Sequence, residues 1–305
     1  MKAHTAAAAS VPGADAAVRP HWLADFVSLT KPRLNLLVLV TTLVGLYLAS
    51  PDGVPGVLLL HTLLGTTLVA GGAAALNQAW EHDTDRLMRR TARRPLPGGR
   101  LRLADGVLFG IALSAAGLIE LAFGANLMAA AVAAATLVSY VLVYTPLKTR
   151  TSLATLVGAI PGALPPMIGW AAATGEITLA AWVLFGIVFF WQMPHFLAIA
   201  WMYRGEYEAA GIPLLPVLEP DGRRTGQQAL IYAAALWPVS LLPALVGLGG
   251  PTYSLVATVL GLGFIALSGA FARHRSMVSA RRLFLYSITY LPILWGTLLV
   301  DRFWL

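Results

Sequence analysis

Residues 77–102, NQAWEHDTDRLMRRTARRPLPGGRLR, form a strongly charged stretch between long apolar runs and hold seven of the 21 Lys and Arg residues. The whole chain of 305 residues is 58% hydrophobic and only 11% charged, with a mean hydropathy of +0.73. Soluble domains carry about 25% charged residues, whereas runs of about 20 apolar residues are long enough to cross a bilayer. The sequence therefore predicts an all-α polytopic membrane protein with this stretch as a loop.

Nine apolar segments surround this loop, each close to the length of a membrane-spanning helix. They lie at about 34–50, 56–76, 103–123, 125–144, 152–173, 178–200, 229–247, 252–271 and 283–300. We expect a bundle of about nine transmembrane helices with a central cavity open toward the cytoplasmic side, as a single domain over residues 21–305. Residues 21–33 mix aromatic and basic side chains, which is typical of the membrane interface. Residues 1–20, rich in Ala with Pro and Gly, are predicted to be a disordered tail.

Positive charge is distributed unequally between the two sets of loops. Twenty of the 21 Lys and Arg residues lie in the N-terminal region or in alternate loops on one side, and only Arg302 lies on the other. Basic loops remain in the cytoplasm, so the N-terminus is predicted to be cytoplasmic and the C-terminus outside, in a bacterial-type plasma membrane. The net charge of +7 is thus attributed to topology and not to nucleic-acid binding. The absence of Cys excludes disulfides, thiolate metal sites and a Cys nucleophile.

An acidic stripe opens the charged stretch. Asn77, Glu81 and Asp85 are spaced four residues apart, so a helix continuing from the preceding apolar run places them on one face. Their oxygen atoms suit a hard divalent cation such as Mg²⁺, which binds a few carboxylates together with phosphate oxygens and water. Five arginines between positions 86 and 94 suit a polyanion bridged by the metal. Alone these arginines are more typical of a solvated basic loop, but with the stripe they favour a diphosphate site.

A histidine lies inside the predicted span at 178–200. An ionisable residue in a span is a candidate functional group, and His195 could be a haem contact or a general base. It could also donate a hydrogen bond to a backbone carbonyl freed by Pro194. Trp191, Gln192 and Phe196 are expected to form one polar, aromatic-lined helix face with it.

Other polar residues leave more than one interpretation open. Glu206 and Glu208 follow the same span and could form a second metal-binding group, although each alone is typical of a loop. Lys148 follows the span at 125–144 and could bind phosphate or serve only as a topological charge. His61 has no acidic neighbour in sequence and is predicted to be structural, and so is His82, which lies off the stripe.

Several of these motifs together resemble the UbiA superfamily of intramembrane aromatic prenyltransferases. The first is Asn77-x3-Glu81-x3-Asp85-x2-Met88-x-Arg90-Thr91-x2-Arg94-Pro95-Leu96. The others are Tyr144-Thr-Pro-Leu-Lys148, the run from Gly158 through Pro165-Pro166 to Gly169-Trp170, and Trp191-Gln-Met-Pro-His195-Phe196 with its Tyr-Arg-x-Glu-Tyr-x-x-Ala-Gly-Ile-Pro continuation. The resemblance covers roughly residues 25–300, and the Pro-His-Phe block narrows it to the haem-farnesylating branch.

The resemblance implies a nine-span bundle that transfers a farnesyl group from farnesyl diphosphate to the 2-vinyl group of haem b. Water is added, and the products are haem O and diphosphate. By matching position, the implied ligands of Mg²⁺ and diphosphate are Asn77, Glu81 and Asp85, with Glu206 as a further metal ligand where the family often has Asp. The residues implied to bind phosphate oxygens are Arg90, Arg94, Lys148 and Arg204, and His195 is placed on the haem side. Candidates to line a dry pocket around an allylic cation are Trp80, Trp170, Trp191 and Tyr144.

Three alternative functions remain at this point. A sister enzyme acting on a quinone precursor would share the acidic stripe, but the Pro-His-Phe block argues against it. A transporter of haem or an anionic lipid would not require Glu81 and Asp85 for diphosphate release, and a silent assembly factor is disfavoured because the motif acids are present. The expected partners are farnesyl diphosphate and haem b as substrates, membrane lipid and a haem A synthase, with no nucleic acid.

Overall fold

The computed structural model describes residues 22–302, so the predicted tail at 1–20 lies outside the described residues. The described elements are helices. They are α1 (Trp22–Leu29), α2 (Pro32–Leu48), α3 (Gly56–Trp80), α4 (His82–Arg86), α5 (Leu103–Gly124), α6 (Leu127–Val138), a π-helical segment (Ser139–Tyr144), α7 (Thr145–Leu147), α8 (Ala154–Ala163), α9 (Pro165–Thr174), α10 (Leu179–Met202), α11 (Arg204–Ala209), α12 (Leu215–Leu218), α13 (Arg223–Leu245), α14 (Pro251–His274) and α15 (Met277–Arg302).

The helices confirm the predicted membrane architecture. Within residues 22–302, eight continuous helical stretches are long and apolar enough to span a bilayer, and α1 with α2 makes a ninth across a 43° bend. The chain is an integral membrane protein. The predicted boundaries were least accurate at α13 and α15, which begin at Arg223 and Met277. The predicted break between the spans at 103–123 and 125–144 is confirmed. α5 ends at Gly124, and the Asn126 side chain caps α6 by accepting a hydrogen bond from Ala129 N at 2.9 Å.

Small residues bring the helices together. α3 packs along the length of α5, and α2 packs against α9. Gly72 lies against Gly110 and Ser114 of α5, and Gly117 lies against Gly65 and Val69 of α3, so that a β-carbon at either glycine would collide with the facing backbone. Membrane helices associate without a hydrophobic driving force between them, and close backbone contact of this kind replaces it. These contacts fix which face of α3 points into the bundle.

Two polar loops meet at one end of the bundle, which we call the site end (residues 77–102 and 201–222). A small apolar cluster joins them, and its members are Met88, Ala200, Tyr207, Ala210, Ile212 and Leu214. Arg100 in the first loop also forms a 2.9 Å ion pair with Asp25 of α1. The two loops of the site end therefore pack against each other, and the first loop also contacts α1.

Candidate functional site

The acidic stripe is intact across a break in the helix. α3 ends at Trp80 and α4 begins at His82, so Glu81 sits between two helices. Its backbone N–H still donates to Asn77 O at 3.0 Å, and Asp85 N donates to Glu81 O at 2.8 Å, which preserves the helical repeat. The three side chains are 2%, 7% and 1% exposed, respectively, for residues 77, 81 and 85. They therefore lie on one face, as predicted, and point into protein.

Each member of the stripe is paired with one cation. Lys31 Nζ donates to Asn77 Oδ1 at 2.8 Å, and Lys148 Nζ donates to Glu81 Oε1 at 3.0 Å. Arg94 donates through a guanidinium N–H to Asp85 Oδ2 at 2.6 Å. The cations come from three separate parts of the chain, and two of them, Arg94 and Lys148, were predicted to bind phosphate oxygens. Buried carboxylates require such partners, because an unpaired charge removed from water is very costly.

Lys148 remains charged in this setting. Burial alone lowers the pKa of an ammonium group, but the Tyr144 phenol and the Glu81 carboxylate, with its hydrogen bond, act in the opposite sense and outweigh it. The net result is a pKa of Lys148 above its ordinary value. Lys148 follows directly after the helical stretch that ends at Leu147. Lys148 is thus a largely buried positive charge beside Glu81.

The second loop contributes one carboxylate oxygen without a partner. Glu206 Oε2 is buried and makes no hydrogen bond among residues 22–302. A buried carboxylate oxygen left unpaired is unfavourable unless a ligand or ion completes its coordination. Within the same range, however, no three His, Asp or Glu side chains lie close enough to hold a metal together. Glu206 is therefore not clustered with Glu81 and Asp85 in this structure.

Two of the predicted phosphate-binding arginines have aromatic partners. Arg90 donates to the Tyr207 hydroxyl at 3.0 Å, and its guanidinium lies 5.6 Å from the Tyr203 ring centre. Arg204 stacks over the Trp201 ring at 4.4 Å and donates to Trp201 O at 2.9 Å. Arg90 thus connects the two loops of the site end. Arg204 lies on the second loop and forms no hydrogen bond with the residues of the stripe among the described residues.

His195 lies between aromatic rings on α10 and α15. Its ring stacks on Trp191 at 5.2 Å and lies 5.1 Å from Phe284. His195 Nδ1 lies 2.7 Å from Ser287 Oγ, and the Ser287 hydroxyl donates to Phe284 O at 2.6 Å. Since that hydroxyl has a single hydrogen, it accepts from His195, which places the ring proton on Nδ1 and leaves the Nε2 lone pair free. The alternative of a bond to a carbonyl freed by Pro194 is therefore wrong.

The predicted helix face around His195 divides in two. Trp191 points with His195 toward α15, where its indole N–H donates to Ser287 O at 2.8 Å. Gln192 points instead toward α8 and donates to Ala159 O at 2.7 Å, while Phe196 is 41% exposed. Adjacent positions on a helix differ by about 100°, and here this rotation directs Trp191 and Gln192 to different partner helices.

The aromatic lining predicted for a dry pocket is only partly present. Trp80 is 57% exposed, so it does not line a closed pocket in this structure. Trp170 is buried with an indole N–H that has no partner among residues 22–302, and Tyr144 stacks on Tyr140 at 5.5 Å. The π-helical turn brings these two tyrosines onto one face. A small apolar cavity of about 30 Å³ lies on the face of α3 that also carries the stripe, beside Ala73 and Thr66.

Three residues of the site have no signal in the sequence. Lys31 and Ser287 are each distant in sequence from their partners, and Tyr207 lies inside a motif without an assigned role. His61 has no acidic neighbour in sequence, and the fold brings Glu120 of α5 to within 2.7 Å of it near the opposite end of the bundle. That pair connects α3 with α5, which agrees with the structural role expected for His61.

Known proteins are similar in sequence to most of this chain. The model of the UbiA prenyltransferase family matches residues 38–291. The protoheme IX farnesyltransferase of Solibacter usitatus (strain Ellin6076) is 48% identical, over 91% of this chain and 98% of that protein. The protein of the same name from Myxococcus xanthus (strain DK1622) is 46% identical, over 93% and 96%.

Solved structures agree at the level of the fold. A UbiA homologue from Archaeoglobus fulgidus bound to DMAPP and Mg²⁺ has a TM-score of 0.66 at 16% identity, over 88% of this chain and 99% of that one. A digeranylgeranylglyceryl phosphate synthase has a TM-score of 0.80, also at 16% identity, over 93% and 99%. The match of the family model to most of the chain and the two relatives above 40% identity lead to one assignment. The chain belongs to the UbiA prenyltransferase family.

Proposed function

We propose that the chain transfers a farnesyl group from farnesyl diphosphate to the 2-vinyl group of haem b, with addition of water, and releases diphosphate. The observation that carries this proposal is the buried stripe of Asn77, Glu81 and Asp85 with a cation on each member. Such a site can receive a metal and a polyanion by exchange of existing partners. The acceptor is argued from the two relatives, which are named protoheme IX farnesyltransferases.

The residues fit Mg²⁺. Mg²⁺ usually binds proteins through one or two carboxylates and takes its other oxygens from phosphate and water. Glu81 and Asp85 supply two carboxylates and Asn77 an amide oxygen, all buried. Glu206 Oε2 also lacks a partner among the described residues, but it is not clustered with the stripe, so the fit to Mg²⁺ rests on Asn77, Glu81 and Asp85. A divalent cation held by these groups would neutralise the diphosphate and stabilise it as a leaving group.

The chain's own cations bind and orient the leaving group. Arg94 and Lys148 lie one hydrogen bond from the carboxylates of the stripe, so a diphosphate above the stripe lies within their reach. The C1–O bond of farnesyl diphosphate breaks, and the electron pair leaves with the diphosphate. The terminal vinyl carbon of haem then forms a bond to C1. Water adds to the carbon next to the porphyrin ring and loses a proton to the surroundings, which balances the reaction.

His195 is assigned to the haem side. Its Nε2 lone pair is free because Nδ1 is bound to Ser287. A neutral imidazole held through one nitrogen is the usual form of a metal-binding histidine, because the second partner fixes the tautomer and the ring orientation. Trp191 and Phe284 hold the ring in place from two sides. Nε2 is therefore suited to contact the haem iron or to accept a proton from the added water.

The proposal includes orientation and location. The site end carries the two large polar loops and Lys148, and these contain most of the basic residues outside the N-terminal region and the α14–α15 connection. By the positive-inside rule this end faces the cytoplasm, in a bacterial plasma membrane, with the N-terminus on the same side and the C-terminus outside. A haem A synthase is the expected consumer of the product.

One product assay tests the function. Purified protein is incubated with haem b, farnesyl diphosphate and Mg²⁺, with and without a chelator, and the pigments are resolved by mass. A haem heavier by one farnesyl group and one water, lost on chelation, is the expected result. Turnover with a quinone precursor but not with haem would replace the acceptor assignment. Absence of turnover with every acceptor would overturn the enzymatic proposal in favour of transport.

A further inference from the structure

Lys31 differs from the other two cations of the stripe because its partner is neutral. Lys148 and Arg94 each face a carboxylate, whereas Lys31 donates to the amide oxygen of Asn77. An ammonium group forms a stronger hydrogen bond with an anion than with an amide. In the sequence, Lys31 is one of the twenty basic residues predicted to lie on the cytoplasmic side. An anion that reached Lys31 would therefore form a stronger hydrogen bond with it than the amide oxygen of Asn77 does.

The amide of Asn77 is fixed with its oxygen toward Lys31. Asn77 Nδ2 donates to Thr145 Oγ1 at 3.2 Å, and the Thr145 hydroxyl hydrogen is used in a 2.8 Å bond to Tyr140 O. Thr145 Oγ1 can therefore only accept, and the NH₂ end of Asn77 must face it. The oxygen end is left for the cation, which is the orientation that a hard metal also requires.

The corner between α1 and α2 holds Lys31 in place. The residue has φ 48° and ψ 58°, a left-handed conformation that side-chain-bearing residues seldom adopt. Leu29 just before it is fully buried, and its carbonyl accepts a 2.7 Å bond from the buried side chain of Gln78. A strained conformation persists only where the surroundings enforce it, and such residues concentrate at functional sites.

The charges around Lys31 do not balance. Arg94, Glu81, Lys148 and Asp85 all lie near enough for their charges to act on its ammonium group. With Lys31 included, three cations face two carboxylates, so the stripe and its partners carry one surplus positive charge. A buried surplus of this sign favours an anion in the site. A diphosphate supplies several negative oxygens at the same position.

We propose that Lys31 is a placeholder that occupies the Asn77 oxygen until substrate enters and then transfers to a diphosphate oxygen. The exchange frees Asn77 for the divalent cation and makes Lys31 a third diphosphate-binding residue beside Arg94 and Lys148. Only hydrogen-bond partners change, and no covalent bond is made or broken. The inference rests on the proposed function and extends it to a residue outside the recognised motif.

If Lys31 exchanges partners in this way, its substitution should weaken diphosphate binding and strengthen metal binding. Lys31→Met, in the full chain in detergent, should bind the non-reactive analogue farnesyl thiodiphosphate about tenfold more weakly, since a charge-assisted hydrogen bond is lost. The same variant should bind Mn²⁺ alone about threefold or more tightly, since the competing charge is gone and the Asn77 oxygen is free. Titration calorimetry measures the first affinity, and electron paramagnetic resonance of free Mn²⁺ measures the second. Arg33→Met, two residues away and exposed, is the matched control and should change neither.

Either missing effect overturns the proposal. Unchanged thiodiphosphate affinity would show that Lys31 never reaches the diphosphate, and unchanged or weaker Mn²⁺ binding would show that it does not compete for Asn77. A purely structural role would weaken both. If Lys31→Met does not fold, Lys31→Gln removes the charge but keeps a donor to Asn77. Its thiodiphosphate affinity should fall as in Lys31→Met, and its Mn²⁺ affinity should rise by a smaller factor; absence of either change overturns the proposal. Neither affinity involves haem, so failure of the haem assay alone would overturn the acceptor assignment and leave the role of Lys31 intact.

Discussion

Asp85→Asn separates the charge of the stripe from its packing. Asp85 is 1% exposed, and its Oδ2 accepts a 2.6 Å bond from Arg94, whose side chain is 29% exposed. Asparagine has nearly the same volume, and its amide oxygen can still accept from Arg94. The substitution therefore removes one negative charge and leaves the cavity filled. Asp85→Ala would also remove the acceptor of the Arg94 hydrogen bond, so its effect on activity could not be separated from an effect on folding.

The expected cost in stability is modest. Two unit charges about 4 Å apart attract by about 4 kcal/mol at an effective dielectric constant near 20. The partial exposure of Arg94 screens this value, and the hydrogen bond itself survives in neutral form. The net loss of stability should therefore be about 1–2 kcal/mol, which corresponds to a fall in Tm of a few degrees.

The expected cost in activity is much larger. If Asp85 binds the metal that stabilises the departing diphosphate, its charge acts mainly in the transition state. Loss of such a group costs about 3–4 kcal/mol, which lowers kcat/KM by a factor of about 150 to 900. The assay is the mass-resolved formation of farnesylated haem at saturating Mg²⁺. Measured against added Mn²⁺, the variant should also require a higher metal concentration for half-maximal rate.

The same short helix provides the control. Asp83→Asn changes a carboxylate two residues away that is 77% exposed and contacts only His82 and Arg86, at 3.3 and 3.6 Å. It should keep activity within about twofold, since exposed ion pairs contribute little. The reasoning about the stripe is refuted if folded Asp85→Asn keeps more than about a tenth of wild-type kcat/KM.

Further substitutions test the remaining assignments. Glu206→Gln should raise the Mg²⁺ requirement by about tenfold because a buried, unpartnered oxygen is neutralised, while exposed Glu208→Gln should not; equal effects would remove Glu206 from the metal site. His195→Ala should abolish haem use but leave farnesyl thiodiphosphate affinity within about threefold, and Ser287→Ala should give a smaller loss of the same kind, about tenfold, as expected for an outer partner. Loss of thiodiphosphate binding in either variant would point to a structural role. Lys148→Met should weaken thiodiphosphate binding at least about tenfold. The fold raises the pKa of Lys148 above its ordinary value of about 10.4, so its charge should persist when the pH passes that value. A Lys148-dependent loss of thiodiphosphate binding with a midpoint at or below about pH 10.4 would contradict the pairing.

The local part of the site was predictable from the sequence, and the part built between helices was not. The spacing of Asn77, Glu81 and Asp85 identifies one helix face because the α-helical repeat is a property of the chain itself. It holds even across the break at Glu81, since the backbone bonds to Asn77 O and from Asp85 N continue the repeat. No such repeat connects Lys31 to Asn77, which is 46 residues distant.

Helix rotation explains most of the errors. The direction in which a side chain of α10 points depends on how α10 packs against α8 and α15, and the contacts that fix this angle involve residues far away in sequence. Trp191 and Gln192 were predicted to lie on one polar, aromatic-lined face with His195, yet they donate to Ser287 O and Ala159 O on different helices. Trp80 was placed in a pocket because of its type, but its position at the end of α3 leaves it exposed.

The pairing of the stripe has a consequence for how the substrate binds. A stripe of two bare carboxylates inside a membrane protein would be very unfavourable before metal arrives. The cations Lys148 and Arg94 remove that cost, but they must then be displaced from Glu81 and Asp85 when metal binds. Metal alone binds weakly because it displaces Lys148 and Arg94 without giving them new partners, and diphosphate alone meets the same carboxylates. Together, metal and diphosphate give every displaced group a new partner of opposite charge, so the two should bind with strong positive coupling.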